Sequence, residues 1–220
     1  MHISRRKTRQ VQVGKVKVGG DAPVSVQSMC STDTRDVGKT VEQILQLEAA
    51  GCEIIRVAVP DEEAAAVLPQ IKAAMTVPLI ADIHFDYRLA LKSAAVVDCV
   101  RINPGNIGAW WKVEEVIKAV NDHGIPIRVG VNGGSLERPL LDKYGWPSPE
   151  ALSESALNAV HALEDVGFTN MKVSLKASDV KHAIDAYWLF AMQSDYPLHI
   201  GITEAGTAMT GAVKSSIGLG

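Results

Sequence analysis

Short apolar runs alternate with amphipathic stretches along the whole chain. Seven runs rich in Val and Ile predict strands: 24–29 (VSVQSM), 54–59 (IIRVAV), 78–83 (PLIADI), 99–104 (CVRINP), 125–132 (IPIRVGVN), 170–177 (NMKVSLKA) and 198–205 (LHIGITEA). Most are closed by Pro, Gly or Asn. The intervening segments carry helical periodicity. In VGKTVEQILQLEAAG, Val41, Ile44, Leu45 and Leu47 mark an apolar side and Gly51 a stop. In SPEALSESALNAVHALEDVG, Ser148 before Pro149 forms a cap and first-turn pair, and the helix ends at Gly167. A third helix starts at Ser178 or Asp179 and runs through AIDAYWLFAMQ.

Strand–helix alternation with short loops predicts parallel strands joined by helical crossovers. Seven such units approach an eight-fold TIM-type (β/α)8 barrel, which usually needs about 250 residues. The chain has 220 residues and is one strand short, so the expectation is a barrel truncated after about seven units. Residues 1–220 then form one incomplete substrate-binding barrel domain. An open seven-stranded doubly wound sheet is the alternative. Ahead of the first unit, TRQVQVGKVKVGG predicts a β-hairpin turning near Gly14, placed to plug the bottom of the barrel.

Composition narrows the partners. Hydrophobic residues at 47% and charged residues at 21% suit a chain that buries a core. A net charge of −3 argues against nucleic-acid binding through a basic surface. No run of about 18 apolar residues predicts a membrane span. The basic start MHISRRKTRQ lacks the apolar core of a secretory signal. Cys30, Cys52 and Cys99 are widely spaced, without C-x-x-C, so they form neither a disulfide framework nor a metal motif by themselves. A reducing cytoplasm suits that usage.

Strands covered on both faces should be almost wholly apolar. Here polar residues alternate along them and therefore share a face. Arg56 stands between Ile55 and Val57, and Asp82 is in step with His84. Arg101 and Asn103 oppose Val100 and Ile102. Arg128 and Asn132 oppose Ile127, Val129 and Val131. Lys172, Ser174 and Lys176 oppose Val173 and Leu175. The apolar side meets helices, so the polar side faces the barrel interior. Arg56, Arg101, Arg128 and Lys176 bring four positive charges toward the carboxyl ends of their strands, against Asp82 and Glu204. Buried cations need partners, and a surplus of about two charges points to a multivalent anion. Arginine's bidentate preference makes phosphate the natural class. The competing reading pairs each arginine with another carboxylate, such as Glu137 or Asp86.

Other candidates carry two readings each. The loops NPGNIG (103–108), VNGGSLE (131–137) and EAGTAMTGAVKS (204–215) can cradle phosphate or simply turn the chain, the last with Thr210 as helix cap. Glu204 is a proton donor or carbocation stabiliser, or else an ion-pair partner that positions a cation. His84 is a proton donor, or part of a helix start capped by Asp86. Cys30 reads as a small filler, and Lys172 as one member of a bottom-layer ion pair.

In this order and spacing, VQSM, IIRVAVP, PLIADIHFDYRLAL, CVRINPGNIG, IPIRVGVNGGSLE, KVSLKASDV and HIGITEAG closely resemble the 4-hydroxy-3-methylbut-2-en-1-yl diphosphate synthase family of the non-mevalonate isoprenoid pathway. The resemblance covers essentially the whole chain. Cys30-Ser31 departs from a Thr-rich stretch, and Thr207 stands where a second glycine is common. The resemblance implies an iron–sulfur oxidoreductase that opens 2-C-methyl-D-erythritol 2,4-cyclodiphosphate with two electrons and loss of water. It implies Arg56, Arg101, Arg128 and Lys176 as diphosphate ligands, with Asn103 and Asn132 as polar supports. Asp82 and His84 become substrate-contacting neighbours, and Glu204 the acid assisting water loss. It further implies a 4Fe-4S cluster on three Cys and one Glu of a C-terminal domain absent from this chain. A homodimer, in which the cluster domain of one chain caps the other's barrel, and flavodoxin or ferredoxin as electron donor complete the expectation. A dihydropteroate-synthase-like barrel binding a pterin diphosphate, or a non-catalytic fragment, are the alternatives.

Overall fold

The structure, a computed structural model, describes residues 5–220; the first four residues of the basic N-terminal stretch lie outside the described residues. The chain divides into two compact units. One is Gln10–Arg128; the other joins the described residues up to Arg9 to Val129–Gly220.

The Gln10–Arg128 unit opens with the expected hairpin, β1 (Gln10–Val13) and β2 (Val16–Gly19), paired antiparallel. Then come β3 (Gln27–Met29), α1 (Val37–Ala49), β4 (Ile54–Ala58), α2 (Glu62–Ala73), β5 (Leu79–Asp82), α3 (Tyr87–Ala94), β6 (Cys99–Ile102), the single turn α4 (Pro104–Ile107) and α5 (Trp110–Asp122). Strands β3 to β6 pair parallel in chain order. The Val100 amide then donates to the Pro126 carbonyl at 3.2 Å, leading into β7 (Ile127–Asn132). Asp36, Asp61 and Asp86 cap α1, α2 and α3 by accepting the amides of Lys39, Ala64 and Arg88. Each satisfies an amide that the helix itself leaves unpaired.

The hairpin lies against the amino ends of these strands. Val13 packs with Ile54, Ile80 and Cys99, and Val16 and Val18 flank them. Gly14 takes φ +52°, and a Cβ there would come within 2.9 Å of both Asp98 Oδ1 and Pro78 Cγ. Asp98 has little room to yield, because its other oxygen accepts from Lys72 and from the Leu79 amide.

In the second unit, β7 continues beside β8 (Met171–Lys176). Helices α6 (Arg138–Tyr144), α7 (Pro149–Asp165), α8 (Val180–Ala191) and α9 (Ala208–Leu219) complete it, with α7 against α8 and α8 against α9. Ser148 caps α7 as expected, and Asp179 rather than Ser178 caps α8.

Four local expectations change. The strand expected over 24–29 survives only as β3; the Val26 amide donates to the Glu53 carboxylate, and Val24 and Val26 are exposed. Leu45, expected on the apolar side of α1, is exposed, while Thr40 and Ile44 form the buried line. Thr207, not Thr210, caps α9, accepting the Thr210 amide. The strand expected over 198–205 is reduced to a single bridge, Val173 to Leu198. Two ladder bonds form there, Val173 N–H to Pro197 O and His199 N–H to Val173 O. The next one should join the Leu175 amide to the His199 carbonyl. Instead Leu175 donates to the Tyr187 hydroxyl at 3.2 Å, and that hydroxyl donates to His199 O at 2.7 Å. A side chain from α8 has entered the ladder.

Gly14→Ala is expected to destabilise the protein by about 1–3 kcal/mol, since it combines left-handed backbone with a sub-contact approach. The urea unfolding midpoint should fall with the slope unchanged.

Candidate functional site

One face of the Gln10–Arg128 sheet is layered. Ile54, Ile80 and Cys99 form the apolar layer above the hairpin. Two residues further along β4 stands Arg56; two further along β5 and β6 stand Asp82 and Arg101, in register with each other. The two-residue period that exposes polar residues in the sequence thus stacks them over a dry floor.

Asp82 is the hub. Arg101 Nη1 donates to Asp82 Oδ1 at 3.0 Å. Arg56 Nε lies 3.5 Å and His84 Nε2 3.4 Å from Asp82 Oδ2. Asp82 and Arg101 are buried, Arg56 is mostly so, and His84 is about half exposed. Burial alone would raise the Asp82 pKa. The hydrogen bond from His84 and the charges of Arg101 and Arg56 outweigh it and hold the carboxyl well below its usual range. Burial pulls the Arg56 pKa down, with Asp82 opposing and Arg101 reinforcing.

Arg128, the second residue of β7, is 1% exposed. Its Nε and Nη1 have no hydrogen-bond partner among the described residues. Burial first, then the charges of Arg56 and Arg101, push its pKa down to about 9. It remains charged at neutral pH. Arg56 and Arg101 contact Asp82 and Arg128 is buried within range of their charges, so in this group three guanidinium groups stand against one carboxylate in a place where charge is costly. The acids that the competing reading offered are engaged elsewhere. Asp86 holds Arg88 and caps α3, and Glu137 accepts from Ser155.

Asn103 is buried at the end of β6, and its carboxamide oxygen accepts the Gly105 amide to cap α4. The NPGNIG loop is thus a capped helical turn, and VNGGSLE contains a 3-10 turn over Gly133–Ser135. The remaining predicted residues belong to the other unit. Asn132 ends β7 and Lys176 ends β8, where the Lys176 ammonium would sit 3.8 Å from a Cβ at Gly201. Glu204 is exposed and is the one non-glycine residue with positive φ (+51°) among the described residues. It borders an open depression of about 540 Å³ with Ser178, Asp179, Val180, Lys181 and Lys214. Lys172 is buried in β8.

Cys30 is buried, and burial pushes its thiol up to about 11, which suits a filler and not a nucleophile. Among the described residues no group of three or more His, Cys, Asp or Glu is arranged to hold a metal ion. The described residues do not fit a 4Fe-4S cluster. Among the described residues no helix is long and apolar enough to cross a membrane.

One contributor escaped the sequence reading. Met29 lies in register with Arg56, whose Nε and Nη2 approach its sulfur at 3.1 and 2.7 Å. A search for polar residues passes over a methionine. Its position at the end of β3, on the same face as Arg56, was the available signal.

Residues 8–220 match the family model described as the GcpE TIM-barrel domain. The chain belongs to that family. Membership decides for the TIM barrel over the open doubly wound sheet. The chain is 60% identical over 217 residues to the 4-hydroxy-3-methylbut-2-en-1-yl diphosphate synthase (flavodoxin) of Geobacter sulfurreducens, covering 98% of this chain and 62% of that protein. It spans about three fifths of the length of the curated relatives it matches. Solved structures share the fold at low identity. The 3-dehydroquinate dehydratase of Geobacillus kaustophilus matches with TM-score 0.66 at 12% identity, over 95% of this chain and 83% of that one. The dihydropteroate synthase of Xanthomonas albilineans matches with TM-score 0.51 at 12% identity, over 95% and 97%.

Two outcomes follow for stability. Asp82→Asn should cost about 3–5 kcal/mol at pH 7, because it strips the shared partner from buried cations. Asp82 has a depressed folded pKa, so its contribution is complete above its unfolded value of about 3.9 and is lost as pH falls below that toward the folded pKa. Urea unfolding as a function of pH should therefore show a shallower acid limb in the asparagine variant. Arg128→Met should do the reverse at neutral pH: removing a buried cation pressed by two others should raise the ligand-free stability by about 1–2 kcal/mol.

Proposed function

We propose that this chain is the substrate-binding barrel of a 4-hydroxy-3-methylbut-2-en-1-yl diphosphate synthase, acting on 2-C-methyl-D-erythritol 2,4-cyclodiphosphate. The observation that carries the reading is the buried cluster of Arg56, Arg101 and Arg128 around Asp82, short of two negative charges. A cyclic diphosphate supplies charge of that sign and size. The relatives' printed name supports the same ligand class.

The chain's own residues divide the work. Arg56, Arg101, Arg128 and Lys176 take the diphosphate oxygens, and Asn103 and Asn132 supply polar support. Asp82 orients two of the guanidinium groups and leaves the cluster with its net positive charge. His84, half exposed above that carboxylate, contacts the substrate. Glu204 delivers the proton that lets the hydroxyl leave as water. Its left-handed backbone supports a functional role, since strain of about 1–3 kcal/mol persists where surroundings or function demand it. Ring opening is reductive and takes two electrons. The family resemblance implies that they pass through a 4Fe-4S cluster on a C-terminal domain, with flavodoxin or ferredoxin as donor, in a cytoplasmic homodimer.

The test is made on the intact protein under reducing conditions. Conversion of the cyclic diphosphate is expected. Arg128→Ala should weaken its binding by about 10- to 100-fold and flatten the salt dependence, because a charged contact is lost. Glu204→Gln should leave binding within about threefold and lower turnover by about 100-fold or more. Equal loss of binding in both variants would contradict the division of roles. Calorimetric binding of a pterin diphosphate, with none of the cyclic diphosphate, would overturn the reading.

A further inference from the structure

Arg56 is gripped from two sides by groups of different chemistry. Asp82 faces its Nε at 3.5 Å, and the Met29 sulfur faces both Nε and Nη2, at 3.1 and 2.7 Å. Met29 is the last residue of β3 and is paired in register with Arg56, so both side chains leave the sheet on one face. The Nε–Nη2 edge of the guanidinium is thereby committed. Nη1 makes no hydrogen bond among the described residues.

The identity of the neighbour decides the charge of the site. A carboxylate in place of the sulfur would hold the same edge and cancel one positive charge. A thioether is a weak, uncharged acceptor. It takes up the N–H groups while leaving the guanidinium charge undiminished. Its flexible, polarizable side chain also fills the space beside the planar group.

We infer that Met29 is a positioning residue of the anion site. Its sulfur aims Arg56 at the ligand and keeps the cluster at two surplus positive charges, which sets its preference for a doubly charged group. The inference rests on the reading of this cluster as the diphosphate site.

Inorganic pyrophosphate binding to the intact protein, measured by calorimetry at several salt concentrations, tests it. Met29→Leu should weaken binding by about tenfold, the equivalent of about 1.4 kcal/mol, with the salt slope unchanged because no charge is altered. Met29→Gln, a neutral acceptor of similar length, should restore affinity to within about threefold of the unmodified protein. Met29→Glu should weaken binding further and flatten the salt slope. The Arg56 Nε–H resonance should move in the leucine variant and return toward its place in the glutamine variant. Unchanged affinity in the leucine variant overturns the inference and leaves the diphosphate reading standing. A folded glutamine variant no better than leucine overturns it too, since shape would then be the whole contribution. No pyrophosphate binding by the unmodified protein overturns both. If the leucine variant does not fold, equal affinity of the glutamine and glutamate variants is the overturning result.

Discussion

Asp82 is one carboxylate shared by cations on two neighbouring strands, and the arrangement of the site depends on that sharing. It holds Arg101 at 3.0 Å and Arg56 at 3.5 Å, and it draws His84 to 3.4 Å. A second acid in the cluster would cancel a further positive charge. With only one, the guanidinium groups are fixed in direction but not neutralised. Arg128 carries most of the remaining tension, buried beside like charges with two N–H-bearing nitrogens unpartnered among the described residues. The arrangement has the sign of charge that the proposed diphosphate ligand requires.

The layers beneath make this tolerable. The hairpin places Val13 under Ile54, Ile80 and Cys99, so the charged layer rests on a dry apolar one. Coulomb interactions are stronger there than at a wet surface. That strengthens the Asp82 contacts and the repulsion among the arginines together. Burying three guanidinium groups around one carboxylate costs stability, a cost tolerated where like charges are held in a low-dielectric place.

The second unit shows how one hydroxyl can redirect a strand. The segment after Pro197 begins as a parallel neighbour of β8, then loses the ladder where Tyr187 bridges Leu175 and His199. The backbone remains satisfied, because the phenol donates one bond and accepts another. Beyond it the chain is irregular through Glu204, whose left-handed backbone precedes the Thr207 cap of α9. The Thr207 hydroxyl caps α9 by accepting the Thr210 amide.

The sequence by itself determined the alternation of strand and helix, the hairpin at Gly14, the Asp86 and Ser148 caps, and the shared polar face that holds Arg56, Asp82, Arg101 and Arg128. These follow from period-two and period-3.6 patterns and from local capping chemistry, which act over a few residues. Only the tertiary structure decided that Asp86 and Glu137 are engaged elsewhere, that Asp82 serves two arginines at once, that Met29 grips Arg56, and that Tyr187 interrupts the last ladder. Each depends on which side chains meet across strands or between a helix and a strand, through contacts of a few ångströms between residues distant in the chain. Local periodicity fixes the face on which a residue stands, but the partner it meets there is set by the packing of its neighbours.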